Sequence, residues 1–232
     1  MDETPRDSPA VVDAVVLDID GTLVDTVYEH TVAWARAFQD VGIMLPGHLL
    51  HRAVGMGSER LVAHVAGDSV ENAVGDQLRE IHDAEYERLS VRLRLLPGAD
   101  RVVGELTRRG HRVVIATSGN QRDTDRSLDL VPDATLAAAV VTGGDVEHGK
   151  PSTELIDAAL TAVGGHRAAV VGDALWDAQS GSAGGHLAIG LLTGGITEPE
   201  LREAGAGVVL GSLDDLIDRL DQLMRPASAS RN

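Results

Sequence analysis

The sequence predicts an α/β protein whose core is a doubly wound, Rossmann-like parallel sheet and whose cap is an inserted all-helical domain. Short runs rich in β-branched residues recur along the chain and alternate with segments of helical periodicity. This alternation is typical of parallel strands that are covered by helices on both faces. The runs that we predict to be strands are residues 14–17, 112–116, 138–141, 168–171, 186–192 and 207–210.

The segments between these strands have the apolar spacing of helices. In one of them Leu155, Ile156, Ala159 and Leu160 recur on a single helical face. The same reasoning places the connecting helices at residues 98–109, 121–129, 152–163 and 212–223.

The first strand is followed by a long stretch that is helical in pattern and has no strand signal. Because this stretch leaves the sheet at the end of the first strand, we expect it to act as a lid over that edge, where lids exclude water and select substrates. The predicted organisation is a discontinuous core of residues 11–26 and 94–224, a helical cap of residues 27–93, and flexible tails at residues 1–10 and 225–232.

Composition argues against several classes of partner. The net charge of −16 disfavours nucleic acids and anionic membrane surfaces, because both are bound through clustered Lys and Arg. The absence of cysteine excludes disulfides and thiolate metal sites. The first residues are acidic without an apolar signal core, and no segment approaches the roughly 20 apolar residues of a membrane span. We therefore expect a cytoplasmic enzyme that acts on a small molecule.

Two acids at the end of the first strand are the first candidates for catalysis. Asp18 and Asp20 follow the apolar run 14–17 and precede a glycine turn. Charge at the end of a buried strand needs a reason, and open α/β sheets bind ligands at the carboxyl ends of their strands. An acidic turn or a helix cap is the structural alternative.

Three later segments offer polar groups at the same predicted edge, and two of them follow the second and the fourth strand. Residues 117–119 read Thr-Ser-Gly after the second strand, which suits phosphate oxygens but is equally compatible with an ordinary turn. Asp173 and Asp177 follow the fourth strand, where Asp173 could instead cap a helix.

Lys150 is the only lysine among 20 basic residues, and it precedes a predicted helix. Residues 144–150 nearly match a nucleotide-binding P-loop. The match fails at Pro151, which replaces the magnesium-binding Ser or Thr and has no N–H to donate.

Together these four segments resemble the haloacid dehalogenase superfamily, in its phosphatase branch with a helical cap, over residues 11–211. Phosphoglycolate phosphatases and β-phosphoglucomutase-like proteins belong to this branch. The resemblance implies that Asp18 is the nucleophile, Asp20 the general acid/base, and Lys150 the cation between nucleophile and phosphate. It further implies phosphate ligands at Thr117, Ser118 and Gly119, and a Mg²⁺ site formed by Asp18, Asp20 (through its backbone carbonyl) and Asp173, with Asp177 supporting it.

The physical chemistry of these residues is consistent with that assignment. Oxygen ligands suit Mg²⁺, and a carboxylate nucleophile splits hydrolysis into two steps through an aspartyl-phosphate. Because Asp20 is surrounded by other carboxylates, we expect its affinity for a proton to be raised. The expected reaction is hydrolysis of a small phosphate ester, either phosphoglycolate or a sugar phosphate, with the oligomeric state left open.

Other functions on the same fold are distinguished by single residues. A dehalogenase does not need Asp20 or a metal, and phosphonate hydrolysis uses a cap lysine that residues 27–93 lack. A sugar phosphomutase is the main alternative, because Asp25-Thr26, His30 and Trp34 resemble the hinge of β-phosphoglucomutase-like proteins. The Arg and Lys with which such mutases hold a second phosphate have no clear counterparts here, since Ser58 and His82 fall near those positions. A non-catalytic binding module is disfavoured because no catalytic position is missing.

The cap residues that contact the substrate are harder to identify. The glycine break at residues 55–57 is flanked by candidates that we expect near the substrate: His51, Arg52, Met56, Ser58 and Arg60. Equally, Met56 could pack in a core and the arginines could be solvated. We take the other histidines, including His48, His64 and His82, as structural or surface residues.

Overall fold

The computed structural model of the protein describes residues 9–227, and its centre is a six-stranded parallel sheet. Its spatial order is β4-β3-β2-β5-β6-β7, so the chain winds outward in one direction from β2 and in the other from β5. Ligands of such sheets bind where the order reverses, which here lies between β2 and β5. The strands are β2 (Ala14–Leu17), β3 (Val113–Ala116), β4 (Ala139–Val141), β5 (Ala168–Gly172), β6 (Leu187–Leu191) and β7 (Val208–Leu210).

The central strands are buried on both faces, as their continuous apolar runs predict. Leu17 of β2 is in register with Ile115 of β3 on one side and with Val171 of β5 on the other. These three residues lie at or one position before the ends of their strands at the same edge, so that the loops after them begin side by side.

Helices cover the sheet on both faces. On one face α5 (Val102–Arg108) and α10 (Leu213–Leu223) pack on an apolar cluster that includes Val15 and Leu17. On the other, α7 (Glu154–Val163) packs on Val16 and Val170. The core also contains α6 (Gln121–Leu128), α8 (Leu175–Ala183) and α9 (Glu198–Glu203). The short helices α8 and α9 were not among the predicted elements.

The predicted all-helical cap is present between β2 and α5. It consists of α1 (Val27–Asp40), α2 (Gly47–Ala53), α3 (Ser58–Ala66) and α4 (Asp68–Leu89). It has an apolar cluster of its own that includes Trp34, Phe38, Leu50, Leu61 and Leu78. The cap therefore packs as a separate helical layer above the carboxyl edge of the sheet.

The predicted tails, residues 1–10 and 225–232, fall within the described part of the chain only at residues 9–10 and 225–227. Strand β1 (Ala10–Val12) pairs in parallel with β8 (Met224–Pro226) and forms a second, two-stranded sheet. This pairing joins opposite ends of the chain, so no local pattern could predict it. Residues 1–8 and 228–232 lie outside the described part of the chain.

Within residues 9–227, the longest helices are too polar or too short to cross a bilayer.

Candidate active site

A buried cluster of three carboxylates lies at the point where the strand order reverses. Asp18 follows β2, Asp173 follows β5, and Asp177 lies in the first turn of α8. One oxygen from each carboxylate lies within 4.8 Å of the others, and all three residues are buried. The fold thus brings together acids that the sequence placed at two separate strand ends.

Lys150 supplies the positive charge in this cluster. Its side chain is only 3% exposed, and its Nζ forms ion pairs with Asp18 and, at 2.7 Å, with Asp177 Oδ1. Burial acts to lower the pKa of Lys150, but the two carboxylates outweigh burial and raise the pKa. Lys150 is therefore a permanent cation in contact with the predicted nucleophile.

One lysine does not neutralise three buried acids. Burial, together with the neighbouring carboxylates, raises the pKa of Asp18 to about 8 and that of Asp173 well above its usual value, although Lys150 opposes both shifts. A divalent cation would supply the charge that the lysine does not, and carboxylate oxygens are the ligands that hard cations prefer. The residues present therefore fit a metal ion.

Two glycines make room for the carboxylate of Asp173. A Cβ at Gly21, where φ is +75°, or at Gly194 would overlap this carboxylate. Thr22 Oγ1 donates a hydrogen bond of 2.9 Å to its Oδ1. Asp173 is therefore oriented by a glycine cradle and a hydroxyl, which holds its oxygens towards Asp18.

Asp177 has both carboxylate oxygens engaged by the protein. Its Oδ1 pairs with Lys150, and its Oδ2 accepts a hydrogen bond of 3.1 Å from the backbone N–H of Ala174. These contacts fix Lys150 against Asp18. Asp177 therefore supports the acidic cluster by holding Lys150 in place.

The side chain of Asp20 faces away from the acidic cluster. Its Oδ1 accepts a hydrogen bond from Thr26 Oγ1 at 2.7 Å and lies 3.3 Å from His30 Nε2, while its Oδ2 lies 3.4 Å from Thr117 Oγ1. Burial acts to raise the pKa of Asp20, but the charge and hydrogen bond of His30, with the bond from Thr26, bring it down to about 2. Our expectation of a raised proton affinity is wrong, because donors and not carboxylates surround Asp20.

A line of hydrogen bonds continues from Asp20 into the cap. His30 Nδ1 lies 3.2 Å from His82 Nε2, and His82 Nδ1 lies 3.0 Å from Asp83 Oδ1. Tyr86 stacks on His30 with ring centroids 3.9 Å apart. His82 is buried, and burial lowers its pKa. Sequence reasoning treated His82 as a structural or surface residue and missed this contact, since its partner is 52 positions away.

The loop after β3 is positioned for anion binding. Gly119 N–H donates to Thr117 Oγ1 at 2.9 Å, and Ser118 Oγ accepts from the backbone N–H of Lys150 at 3.3 Å. These residues, with Asp18 and Asp20, border one cavity. The predicted phosphate-binding residues therefore lie together with the predicted catalytic acids.

This cavity has a volume of about 170 Å³ and lies between the core and the cap. Of the expected cap residues, Met56 and Ser58 line it. Arg52 does not, because it pairs with Glu200 at 2.6 Å, and Arg60 is exposed elsewhere on α3. Sequence reasoning missed other lining residues that come from α4 and α6: Arg79, His82, Asp83, Asn120, Asp123, Thr124 and Ser127.

The cap is fastened to the catalytic loops by hydrogen bonds. Glu59 at the start of α3 accepts from Gly149 N–H at 2.8 Å, and Gly57 N–H donates to the carbonyl of Lys150 at 3.3 Å. On the other side His51 Nε2 lies 2.9 Å from the carbonyl of Gly194. His51, which we expected near the substrate, therefore serves as a contact between cap and core.

The parallel sheet with its helical cap and the buried acidic cluster define a class of protein. Comparison of the sequence with known families identifies this class. A family model described as haloacid dehalogenase-like hydrolase matches residues 12–185. The chain belongs to this family and is an enzyme of the hydrolase class, which confirms the resemblance drawn from the four motifs.

Individual relatives cover nearly the whole chain. A hydrolase from Pseudomonas syringae of known crystal structure is 32% identical, with a TM-score of 0.86, over 91% of this chain and 99% of that one. A phosphoglycolate phosphatase from Nitrosococcus oceani is 25% identical over 90% of this chain and 96% of its own. A β-phosphoglucomutase from Bacillus subtilis is 26% identical over 88% and 91%.

Proposed function

We propose that this protein is a Mg²⁺-dependent phosphatase that hydrolyses a small phosphorylated metabolite through an aspartyl-phosphate. The observation that carries the proposal is the position of Asp18. It borders the cavity, contacts the cation Lys150, and lies beside an acidic cluster that can hold a metal. The family's hydrolase chemistry and the phosphatase among its relatives support the same reaction.

In the first step the carboxylate of Asp18 attacks phosphorus, and the bond from phosphorus to the leaving oxygen breaks. Lys150 offsets the repulsion between the carboxylate and the phosphate dianion, which would otherwise oppose their approach. The hydroxyls of Thr117 and Ser118 and the backbone N–H of Ser118 offer donors to the phosphate oxygens, and Gly119 N–H orients the Thr117 hydroxyl. The chain thus orients the phosphate before the bond to Asp18 forms.

Asp20 moves the protons of both steps. Its Oδ2 faces Thr117 at the cavity and is placed to give a proton to the leaving alkoxide. With a pKa of about 2, Asp20 is ionised before the substrate arrives. A phosphate dianion raises the proton affinity of Asp20, so Asp20 takes up one proton from solvent as the substrate binds, and its Oδ2 passes that proton to the leaving alkoxide.

In the second step water attacks the phosphorus of the aspartyl-phosphate, and the bond from phosphorus to Asp18 breaks. Asp20, now ionised, accepts the proton of this water. Inorganic phosphate leaves and the Asp18 carboxylate is restored, so that the protein ends the cycle unchanged. A positioned acid/base of this kind contributes about 10²–10⁴-fold in rate.

The metal would be held by the carboxylates of Asp18 and Asp173 and the backbone carbonyl of Asp20. When bound, Mg²⁺ supplies positive charge to the phosphoryl oxygens in addition to that of Lys150. The glycine cradle at Gly21 and Gly194 keeps the Asp173 carboxylate turned towards Asp18 for this purpose.

A sugar phosphomutase is the second candidate. It shares the first step, but a substrate hydroxyl then takes the phosphoryl group from Asp18 in place of water. The relative from Bacillus subtilis and the contacts of Thr26 and His30 with Asp20 favour it. Incubation with β-glucose 1-phosphate and a bisphosphate activator separates the two, because we expect free phosphate from the hydrolase and an isomer without phosphate from a mutase.

The function is tested with p-nitrophenyl phosphate and Mg²⁺. We expect Asp18→Asn to abolish turnover while its circular dichroism spectrum matches that of the wild type. Asp218→Asn, an exposed aspartate of α10 on the far side of the core, is the matched control and should retain full activity. EDTA should remove the activity and Mg²⁺ restore it. Turnover by Asp18→Asn near the wild-type rate would eliminate the proposed nucleophile.

A further inference from the structure

The charge of the cavity wall opposite the phosphate site limits the kind of substrate. Asp18, Asp20 and residues 117–119 line the catalytic end of the cavity, and the rest of its wall comes from α1, residues 54–56, Ser58, Leu61, α4 and α6. If the phosphate lies at the catalytic end, the remainder of the substrate lies against this wall, whose carboxylates and guanidinium come from α4 and α6. The charges of these helices therefore decide which leaving groups are accepted.

The single guanidinium on this wall is already neutralised. Arg79 Nη2 donates to Glu71 Oε1 and to Asp76 Oδ1, each at 2.8 Å, and Nη1 donates to Glu71 Oε2 at 3.1 Å and to the carbonyl of Ser58 at 3.3 Å. Two carboxylates thus share one guanidinium. Because its Nη donors are taken, Arg79 cannot form a bidentate pair with a substrate carboxylate without breaking these bonds.

The other ionisable groups of the wall are the acids Asp83 and Asp123 and the histidines His30 and His82, and His30 Nε2 is engaged 3.3 Å from Asp20 Oδ1. Asp83 is 45% exposed, and Asp123 also lines the cavity. Arg126 lies behind Asp123, at 3.7 Å from its Oδ1, and does not border the cavity. Burial lowers the pKa of His82, which disfavours its cationic form. Among residues 9–227, the wall therefore offers a substrate anion no unpaired cation.

We infer that the leaving group of the substrate is uncharged and carries hydroxyls, as in a polyol or sugar phosphate, and is neither a carboxylate nor a second phosphate. A hydroxyl can donate to the carboxylate of Asp83 and accept from the hydroxyl of Ser58. A carboxylate at the same place meets the like charges of Asp83 and Asp123, which is unfavourable. This inference rests on the proposed phosphatase function, and it sets the chain apart from its phosphoglycolate phosphatase relatives.

The test compares substrates that differ in one group. In one pair, 2-phosphoglycolate carries a carboxylate where 2-hydroxyethyl phosphate carries a hydroxymethyl group. In the other, 3-phosphoglycerate and glycerol 3-phosphate differ in the same way. We expect kcat/KM to be at least about tenfold higher for the neutral member of each pair, since like-charge contacts are strongly disfavoured. Equal or higher kcat/KM for the carboxylates would overturn the inference.

Variants of Arg79 and of its partners Glu71 and Asp76 test whether the pairing of Arg79 causes the preference for neutral esters. The double variant Glu71→Gln, Asp76→Asn leaves Arg79 as an unpaired cation, so we expect the ratio of carboxylate to neutral kcat/KM to rise about fivefold or more. Arg79→Gln should leave this ratio at the wild-type value. A fall of carboxylate turnover in Arg79→Gln with no change for the neutral esters would show instead that Arg79 binds a substrate carboxylate, and would overturn the inference.

Hydrolysis of p-nitrophenyl phosphate distinguishes failure of the leaving-group inference from failure of the proposed phosphatase function. If p-nitrophenyl phosphate is hydrolysed with Mg²⁺ and the neutral esters are not preferred, the inference about the leaving group fails and the phosphatase function stands. If the same preparation turns over none of these phosphates, the proposed function fails and the inference fails with it.

Discussion

Replacing Lys150 by methionine removes the cation of the acidic cluster while keeping an unbranched side chain of similar length. Lys150 is buried, and its Nζ pairs with both Asp18 and Asp177. The variant leaves these two carboxylates and that of Asp173 in the core without a positive charge. We therefore expect Lys150→Met to lose both stability and activity.

The size of the stability loss follows from removing one partner of a buried ion pair. Removing one partner of such a pair costs about 3–5 kcal/mol, because the other charge stays buried and uncompensated. Part of this cost is recovered when Asp18 takes up a proton. Loss of Lys150 raises the pKa of Asp18 above the value of about 8 that it has beside the lysine. The wild-type Asp18 is itself protonated below about pH 8, so the deficit should differ little between pH 6 and pH 8 and should grow by up to about 1.4 kcal/mol per pH unit only above pH 8.

The stability assay is urea unfolding in EDTA at pH 6 and pH 8, followed by circular dichroism. Addition of Mg²⁺ should reduce the deficit, since the metal replaces the missing charge. The matched comparison repeats the Lys150→Met substitution in the Asp18→Asn background. There the loss of the lysine should cost less stability, because residue 18 no longer carries a charge. A deficit below about 1 kcal/mol at pH 8 would refute the assignment of a buried compensating cation.

The activity assay uses p-nitrophenyl phosphate with saturating Mg²⁺. Loss of one charge that stabilises the transition state typically costs about 10²–10³-fold in kcat, and we expect a loss of this size. Turnover within tenfold of the wild type would show that Lys150 holds the fold and does not assist the attack.

Three further predictions concern separate parts of the molecule. His30→Ala removes the contact that orients Asp20, so kcat/KM should fall about 10²-fold for glycerol 3-phosphate and much less for p-nitrophenyl phosphate, whose leaving group needs no proton; equal losses would contradict the role of His30. Gly194→Ala puts a methyl group where the Asp173 carboxylate lies, so isothermal titration should show weakened Mg²⁺ binding. Burial lowers the pKa of His111, which makes the unfolded chain bind more protons below about pH 6.5; stability should therefore fall on acidification, and His111→Asn should flatten this dependence in urea unfolding at pH 7 and 5.

The strands and the polar groups at their ends were predictable because both are local features. A buried parallel strand is a continuous apolar run, and a polar residue that interrupts it marks the strand's carboxyl end. Since the carboxyl ends of parallel strands lie at one edge, the pattern alone predicts that Asp18, Thr117 and Asp173 come together. In the structure Asp18 lies with Asp173 in the acidic cluster and with Thr117 at the cavity. Each of these inferences needs only a few consecutive residues and a general rule of topology.

The cap residues could not be predicted in the same way. The spacing around the glycine break makes Met56, Ser58, Arg52 and Arg60 neighbours in sequence, but only the first two line the cavity. Which face of a short helix meets the core depends on how the cap docks. That docking is set by contacts such as Glu59 with Gly149, between residues 90 positions apart.

The sequence by itself determined the α/β class, the helical insertion, and the chemical identity of the residues at the carboxyl edge of the sheet. The tertiary structure decided the charge state of those residues. Asp20 looked as if it should hold its proton tightly among other acids, and it lies instead between Thr26, His30 and Thr117. A pKa depends on which groups face a side chain across a few ångströms, and those groups come from elements far apart in the chain.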